Sequence, residues 1–389
     1  MKKIIVLAVA AMLALPAMAF AVTGECSNCH TMHNSFQGTP MAQLADGSPS
    51  TAPFPILLRS NCLGCHANGQ GDAIHPDFAS PQVYHTNATD LAGGNFAYID
   101  GLKTGGDVIA DDDRKGHNVV DLMTADQTFT YPPGFGMGSL GLHGTPTDKL
   151  PVGSFTCAGN DGCHGTRNTM VDDGTGNATT VKLQGLAAMA GAHHSNVTGQ
   201  VNGAATTAGG SYRFLTGVWG LEDVDWQFTT GPADHNEYYG TNAGSPFTGD
   251  CADCHVGGVG AGLITVKNIK APANSMSGFC STCHGTFHED TVSGNFVRHP
   301  TDYTLPTTGE YAAYTAWNAD APVALTTVPA TADGTIVPGS DLVQCLSCHV
   351  AHGSAHESML RWDYSGMLAG QGANDTGCFI CHTTKDDTP

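Results

Sequence analysis

The sequence predicts a fold of mostly irregular coil, with few short α-helices and little β-structure. Glycine occurs 50 times and proline 20 times among the 389 residues, whereas charged residues make up only 13% of the chain. Both residue types interrupt regular elements, and long stretches with helical periodicity are scarce. Hydrophobic residues, at 41%, also fall short of the usual share, so an additional source of apolar surface is needed for a core.

Cysteine spacing indicates that source. All fourteen cysteines lie in seven segments that end in Cys-His: six read C-x-x-C-H and one reads C-x5-C-H. C-x-x-C-H is the attachment signature of c-type haem, in which both thiols bond the porphyrin and the histidine ligates its iron. The sequence therefore predicts seven covalent haem c groups, around which the coil is wrapped. The sites are Cys26/Cys29/His30, Cys62/Cys65/His66, Cys157/Cys163/His164, Cys251/Cys254/His255, Cys280/Cys283/His284, Cys345/Cys348/His349 and Cys378/Cys381/His382.

Zinc sites and disulfide scaffolds explain this pattern less well. Neither requires a histidine directly after every second cysteine. At the C-x5-C-H segment the run Gly159–Gly162 suits a wider loop, because glycine and asparagine tolerate unusual backbone angles. A single thioether or a disulfide is the alternative for Cys157 and Cys163.

Residues 1–21 have the pattern of a secretory signal peptide. Lys2 and Lys3 precede an apolar run from Ile4 to Leu15, and small residues follow up to Ala21. The run is too short to span a bilayer. We expect a secreted protein, extracellular or at the cell surface, with a periplasmic location as the alternative and no membrane span. Residues 22–389 are expected to form one unit, with haems 1–3 in 22–164, a connecting segment in 165–250, and haems 4–7 in 251–389.

The chain is acidic, with a net charge of −20. This charge disfavours a nucleic-acid partner, and its simplest interpretation is solubility. Cations are few, so particular arginines are candidates for pairing with haem propionates, with ordinary surface charge as the alternative. These arginines are Arg114, Arg213, Arg298 and Arg361.

Histidine is unusually abundant, with 19 residues, of which seven belong to the attachment motifs. The other twelve are enough to give each iron a second axial histidine. Two histidines fill both axial positions, which suits electron transfer rather than catalysis. The candidate distal ligands are His33, His85, His117, His194, His235, His288, His299 and His352. His193 or His143 is an alternative to His194 at the third haem, His235 is assigned to the fourth, and His75 and His356 are assigned to the surface.

Three candidates lie very close to a motif histidine. His33 and His352 follow one by three residues, and His288 follows one by four. A histidine so near in sequence lies on the proximal side of its own haem and cannot reach the opposite face. Each must therefore bind a different iron or none, and each that binds ties two haems together.

Several segments resemble the filament-forming multihaem c-type cytochromes of metal-respiring bacteria, and the hexahaem type most closely. They include Glu25–Ser35, with Cys-His-Thr-Met-His, and the Arg-Lys-Gly-His-Asn segment Arg114–Asn118. The resemblance implies one continuous haem stack along a homopolymer. It also implies that His33 ligates a haem of the neighbouring subunit, the one at Cys345 and Cys348. The C-x5-C-H segment and the additional site at Cys251 depart from the hexahaem pattern, and the added haem extends the stack or branches from it.

The favoured function is extracellular electron transfer through a conductive filament to external acceptors and other redox proteins, without enzymatic activity. A monomeric periplasmic or surface carrier is the first alternative. A multihaem reductase is the second, and it requires an iron with an open axial position. All seven motifs end in histidine and distal histidines are plentiful, so only the irregular third site is a candidate for catalysis.

Overall fold

The computed structural model describes a set of ranges between residues 30 and 385. Most of this part of the chain is coil, which confirms the predicted fold class. The described residues are 30–31, 34, 42, 50–53, 57–58, 62–67, 71–77, 79–107, 112–119, 122, 132–133, 155–158, 162–167, 183–184, 200–201, 203, 205, 207–242, 274–281, 283–284, 287, 299–370 and 376–385.

The helices of the described ranges are short, and several coincide with Cys-His motifs. Helix α1 spans Leu63–His66 and helix α2 spans Met276–Ser281, so each contains part of an attachment motif. The 3₁₀ turns span Phe96–Tyr98, Asp112–Lys115, Ala208–Gly210, Tyr212–Phe214, Gly309–Ala313, Cys345–Ser347, Glu357–Met359, Tyr364–Gly366 and Gly377–Ile380.

In the described ranges, ten strands of two or three residues form three small sheets. The strands are β1 Thr156–Ala158, β2 Gly162–His164, β3 Thr166–Arg167, β4 Leu183–Gln184, β5 Gln200–Val201, β6 Gly220–Leu221, β7 Glu237–Tyr239, β8 Tyr303–Thr304, β9 Ala324–Leu325 and β10 Leu342–Val343. The largest sheet has the order β5-β6-β7-β9-β10-β8, in which only β7 and β9 run parallel. In the two smaller sheets, β1 pairs with β2 in parallel and β3 pairs with β4 antiparallel.

Apolar side chains are buried in three clusters, each of which reaches at least one attachment cysteine. The cluster around Leu342 packs against Cys163 and Cys280. A second cluster packs against Cys381, and a third packs against Cys157. The protein's own apolar side chains therefore gather beside the cysteines, where a porphyrin would add apolar surface.

The described ranges contain no helix with the length and hydrophobicity needed to cross a membrane.

Candidate haem sites

One backbone turn recurs at four of the C-x-x-C-H motifs. In each, the amide of the motif histidine donates a hydrogen bond to the carbonyl of the first cysteine, over 3.0–3.1 Å. This i→i+4 bond is that of an α-helical turn, in which residues three and four apart share one face. Both thiols and the imidazole are thereby placed on the same side of the chain. The four histidines are His66, His284, His349 and His382.

The second cysteine of a motif is positioned by the same turn. The amide of Cys65 donates to the Cys62 carbonyl over 3.2 Å, and the amide of Cys283 donates to the Cys280 carbonyl over 3.1 Å. Both side chains are half-buried, and neither cysteine forms a disulfide. The backbone therefore brings Cys65 and Cys283 next to their partner cysteines, as haem attachment requires. The thioether bonds predicted for Cys65 and Cys283 themselves stay a prediction.

In the C-x5-C-H segment, two paired strands rather than a helical turn bring the cysteines together. Thr156 pairs with Gly162 and Ala158 pairs with His164, so Cys157 of β1 lies opposite Cys163 of β2. A Cβ at Gly162 would come within 2.6 Å of the Thr156 carbonyl oxygen, so only glycine allows this approach. None of the ten described cysteines, these two included, is joined in a disulfide.

The imidazole Nδ1 atoms of seven candidate ligands are held by backbone carbonyl oxygens, that of His235 by Gly231 over 2.8 Å and six others as given below. Because Nδ1–H is thereby committed to a carbonyl, Nε2 carries the lone pair and is available to a metal. The bonds run from His66 to Pro81 (2.8 Å), His117 to Ala351 (2.7 Å), His164 to Arg213 (2.9 Å), His284 to Pro133 (2.6 Å), His299 to Pro300 (2.9 Å) and His349 to Ser358 (2.8 Å).

Two of these carbonyls belong to residues in the left-handed backbone region. Arg213 has φ 48° and Ser358 has φ 60°, and in each case the following residue also has a positive φ, of 58°. Left-handed conformations cost energy in residues other than glycine, so a consecutive pair indicates a local constraint.

The residues that follow Arg213 and Ser358 also accept hydrogen bonds, each from the residue directly after a motif histidine. The Phe214 carbonyl accepts from the amide of Gly165, and the Met359 carbonyl accepts from the amide of Val350, both at 2.9 Å. The same bond joins Thr31 to Leu57, whose φ is 58°, beside His30. This support was not predicted, and its only signal in the sequence is a leucine after the bonded residue in all three segments.

Three pairs of histidine rings face each other at similar distances. Metal–imidazole bonds of about 2.0 Å on opposite sides of one ion separate two ring centroids by about 6 Å. In each of the three pairs, one histidine belongs to a motif and the other is a predicted distal ligand. The centroid separations are 6.1 Å for His117 and His284, 6.3 Å for His164 and His352, and 6.3 Å for His299 and His382.

Two of the distal candidates are joined through their backbones. The amide of His117 donates to the carbonyl of His352 over 2.9 Å, and the amide of His352 donates to Gly93 over 2.7 Å. The segment Asp112–Lys115 is further joined to Glu357 by an ion pair of 2.5 Å from Arg114. One set of backbone contacts therefore positions ligands for two different motifs.

Electrostatic interactions place these pairs near each other. Burial, together with the nearby His164 and His117, lowers the pKa of His352 to about 3. Burial, together with His284 and His349, lowers the pKa of His117 to about 4. The imidazoles are thus held neutral, which is the form that ligates iron.

His85 is a further buried histidine in need of a partner. It has no solvent exposure, and neither of its ring nitrogens makes a hydrogen bond; the closest charge is Asp90 Oδ1, 3.6 Å from Nε2. It follows Tyr84, which pairs with Ala67 directly after the motif histidine His66. A buried imidazole without hydrogen bonds lowers the stability of the folded protein. A metal bound to one of the two ring nitrogens of His85 would offset that loss.

His235 has a different environment. Its Nδ1 donates to the Gly231 carbonyl over 2.8 Å, its Nε2 lies 3.2 Å from Glu237 Oε1, and its ring stacks on Trp317 at 4.1 Å. The fourth attachment motif, for which it was predicted, lies outside the described residues. Its role as a ligand stays a prediction.

Two histidines were assigned to the surface. His75 is in fact buried, because its Nδ1 accepts from the Asp77 amide over 3.2 Å within a tight turn. His356 is half-buried, with its Nδ1 3.2 Å from Asp107.

Several predicted positions lie outside the described residues. They are the signal segment 1–21, Cys26, Cys29, His33, His143, His193, His194, Cys251, Cys254, His255, His288 and Arg298.

Comparison with known proteins agrees with these features. The doubled CXXCH motif family matches residues 340–387. The C-type cytochrome OmcS of Geobacter sulfurreducens is 27% identical, over 93% of this chain and 85% of its own length. The chain is therefore similar to OmcS along most of its length.

Two solved OmcS structures from the same organism are also similar to this OmcS-like chain. One is an outer membrane cytochrome S filament, with a TM-score of 0.41, and the other an OmcS nanowire, with a TM-score of 0.43. Each is 20% identical to this chain, and each match covers 94% of this chain and 92% of the solved one.

The residues of this OmcS-like chain fit covalently bound c-type haem. Paired cysteines and a histidine share one face, Nδ1 atoms are anchored, and the nitrogens of His85 are buried and unsatisfied. Motifs and relative together support haem c with its iron. Such a group supplies an iron that gains and loses one electron with little change in geometry. In the described ranges it would be held by five cysteine pairs, which are Cys62 with Cys65, Cys157 with Cys163, Cys280 with Cys283, Cys345 with Cys348, and Cys378 with Cys381.

Proposed function

We propose that the chain carries seven c-type haems, each iron bound by two histidines, and transfers electrons outside the cell as a homopolymeric filament. Residues 22–389 act as a single unit, exported by a signal peptide in 1–21. The seven motifs account for every cysteine, and the likeness to the cytochrome OmcS extends over 93% of the chain.

The three facing histidine pairs carry this proposal. Each pair joins a motif histidine to a distal candidate at 6.1–6.3 Å, as two axial ligands of one iron require. Filled axial positions leave no place for a substrate, which supports electron transfer rather than catalysis. We assign His352 to the third site in place of the expected His194, because its ring centroid lies 6.3 Å from that of His164.

The polymeric state is inferred from the resemblance of the Cys-His-Thr-Met-His segment to that of filament-forming cytochromes. In the proposed filament, His33 of one subunit ligates the iron held by His349 of the next. External electron acceptors and other redox proteins are the expected partners.

The proposal is tested on the exported, haem-loaded protein. Intact mass should show seven covalent haems, and electron paramagnetic resonance of the oxidised form should show low-spin ferric iron throughout. The reduced protein should not bind carbon monoxide, because no axial position is open. A mass with fewer haems overturns the count, and carbon monoxide binding to one haem supports the reductase alternative instead.

A further inference from the structure

His382 differs from the other anchored ligands in what lies at its Nδ1. There the neighbouring group is a carboxylate oxygen, Glu310 Oε1, at 3.3 Å. The Glu310 side chain is 7% exposed, and its second oxygen lies 3.6 Å from the ammonium of Lys385, which is 55% exposed. A negative charge is therefore buried directly behind the imidazole that the Cys378/Cys381 motif presents.

A carboxylate behind an axial imidazole favours the oxidised iron. It accepts from Nδ1–H, makes the ring a stronger electron donor and adds negative charge close to the metal. Because ferric iron carries one more positive charge than ferrous iron, both effects lower the reduction potential. Because the Glu310 carboxylate is buried, water screens its interaction with the imidazole and the iron only weakly.

A charge of the opposite sign is buried beside the preceding motif. Arg361 donates from Nε to the Leu346 carbonyl over 2.7 Å and from Nη1 to Ala319 over 3.2 Å, while its Nη2 is buried without a hydrogen-bond partner. No carboxylate of the described ranges lies within ion-pair distance of it.

Arg361 lies within electrostatic reach of the Cys345/Cys348 site. Its amide donates to the Cys348 carbonyl over 2.9 Å. Its Nε also donates to the carbonyl of Leu346, which lies inside that motif. A buried cation at this position stabilises the reduced, less positive iron, or draws in a propionate through Nη2, which has no hydrogen-bond partner.

The two sites are neighbours. Val343, two residues before the Cys345/Cys348 motif, packs in one apolar cluster with Ile380 of the Cys378/Cys381 motif, and Cys381 packs against that cluster. Both motifs also lie within the single doubled-motif segment 340–387. The opposite charges therefore act on adjacent positions of the proposed haem chain.

We infer that Glu310 and Arg361 create a step in reduction potential between these two haems, with the Cys378/Cys381 haem lower and the Cys345/Cys348 haem higher. This deepens the proposed function and rests on it. A single electron shared by the two sites then resides on the iron beside Arg361. That iron is reduced from ferric to ferrous while the one beside Glu310 is oxidised, and no proton or group is transferred. Glu310 and Arg361 are positioning residues that act through the ligand and through space.

The test uses the full haem-loaded protein with Glu310→Gln, which keeps the shape and removes the charge. Spectroelectrochemical titration, with each low-spin ferric signal followed by electron paramagnetic resonance, should show one haem shifted upward and the others unchanged. At a fixed ambient potential, its ferrous-to-ferric ratio should rise about tenfold, which equals about 59 mV for a one-electron couple. Asp333→Asn, which removes an exposed carboxylate, is the matched control and should shift none.

Two further substitutions keep the inference testable if Glu310→Gln loses a haem. Lys385→Gln removes the exposed cation that partly offsets Glu310, and should lower the potential of the same haem. Arg361→Gln should lower the potential of one different haem, whereas Arg361→Lys should retain most of the wild-type value. Unchanged potentials in Glu310→Gln and Lys385→Gln, with seven haems present, overturn the inference alone. Fewer than seven haems in the unmodified protein would overturn the proposed function instead.

Discussion

Single backbone carbonyl groups orient the imidazole rings of the candidate ligands. Seven imidazoles donate Nδ1–H to a backbone oxygen, which fixes the tautomer and leaves Nε2 as the atom available to a metal. The cysteines and histidine of each motif could be grouped from the sequence because three- and four-residue spacings are local geometry, and their bonds to haem stay a prediction. The pairing of His117 with His284 could not, since it depends on contacts between segments far apart in the chain.

Substitution at Gly93 tests the position of His352. A Cβ there would come within 3.0 Å of the imidazole Nδ1 and 3.1 Å of Cε1, so the ring must shift by a few tenths of an ångström. We expect Gly93→Ala to weaken the second ligand of the Cys157/Cys163 haem. Reduced protein should then bind carbon monoxide at one haem. Gly203→Ala, where a Cβ meets nothing within 4 Å, should bind none. A variant with seven low-spin irons would contradict the assignment of His352.

At the scale of elements, very short strands connect the haem sites. The predicted coil is correct, but the six-stranded sheet was not predicted. Its strands are only two or three residues long and pair across large sequence separations, so no alternating pattern reveals them. The strand pairing at the third site could not be predicted either. The sequence shows the glycine-rich loop, but the parallel pairing of β1 with β2 depends on three-dimensional contacts.

Gly162 is the residue on which that pairing depends. In Gly162→Ala the new methyl group would meet the Thr156 carbonyl at 2.6 Å and the Ala158 nitrogen at 2.7 Å, which forces the strands apart. The two thiols would then no longer meet one porphyrin, and intact mass should show a fraction of molecules with six haems. Gly366→Ala, which meets nothing within 4 Å, should keep seven.

Leu342 tests how far the sheet supports the haem sites. It is fully buried in β10, within the cluster that packs against Cys163 and Cys280. We expect Leu342→Ala to lower the free energy of unfolding by about 2–5 kcal/mol, as for other buried leucines. Leu102→Ala, at a side chain that is 45% exposed, should change it far less. Denaturant titration measures both, and equal effects would show that the sheet core is not limiting for stability.

At the scale of the whole molecule, the amino-terminal and carboxy-terminal parts are interleaved. Gly116 pairs with Gly353, and Arg114 forms an ion pair with Glu357. The single unit predicted for 22–389 stays a prediction, and these contacts support it. The sequence indicated a filament only through its resemblance to known cytochromes, because composition and spacing carry no information on assembly.

His33 provides the test of assembly. We expect His33→Ala to retain seven covalent haems but to lose filaments, because the proposed ligand to the neighbouring subunit is gone. Electron microscopy of exported protein, with intact mass as the check on haem content, measures this. His356→Ala removes a half-buried histidine that pairs with Asp107, and should leave filaments intact. Filaments that persist in His33→Ala would remove the intersubunit assignment, and monodisperse wild-type particles would favour the monomeric carrier.

In the proposed exported protein, the exchange of ligands between distant segments would impose an order on biogenesis. His164 would enter the export pathway long before His352, whose ring lies near it, and His117 would likewise precede His284. If haem binds Cys157 and Cys163 as proposed, its iron would have one axial histidine until His352 has been exported. A chain that stops before residue 352 would leave the other axial position open to small molecules such as peroxide.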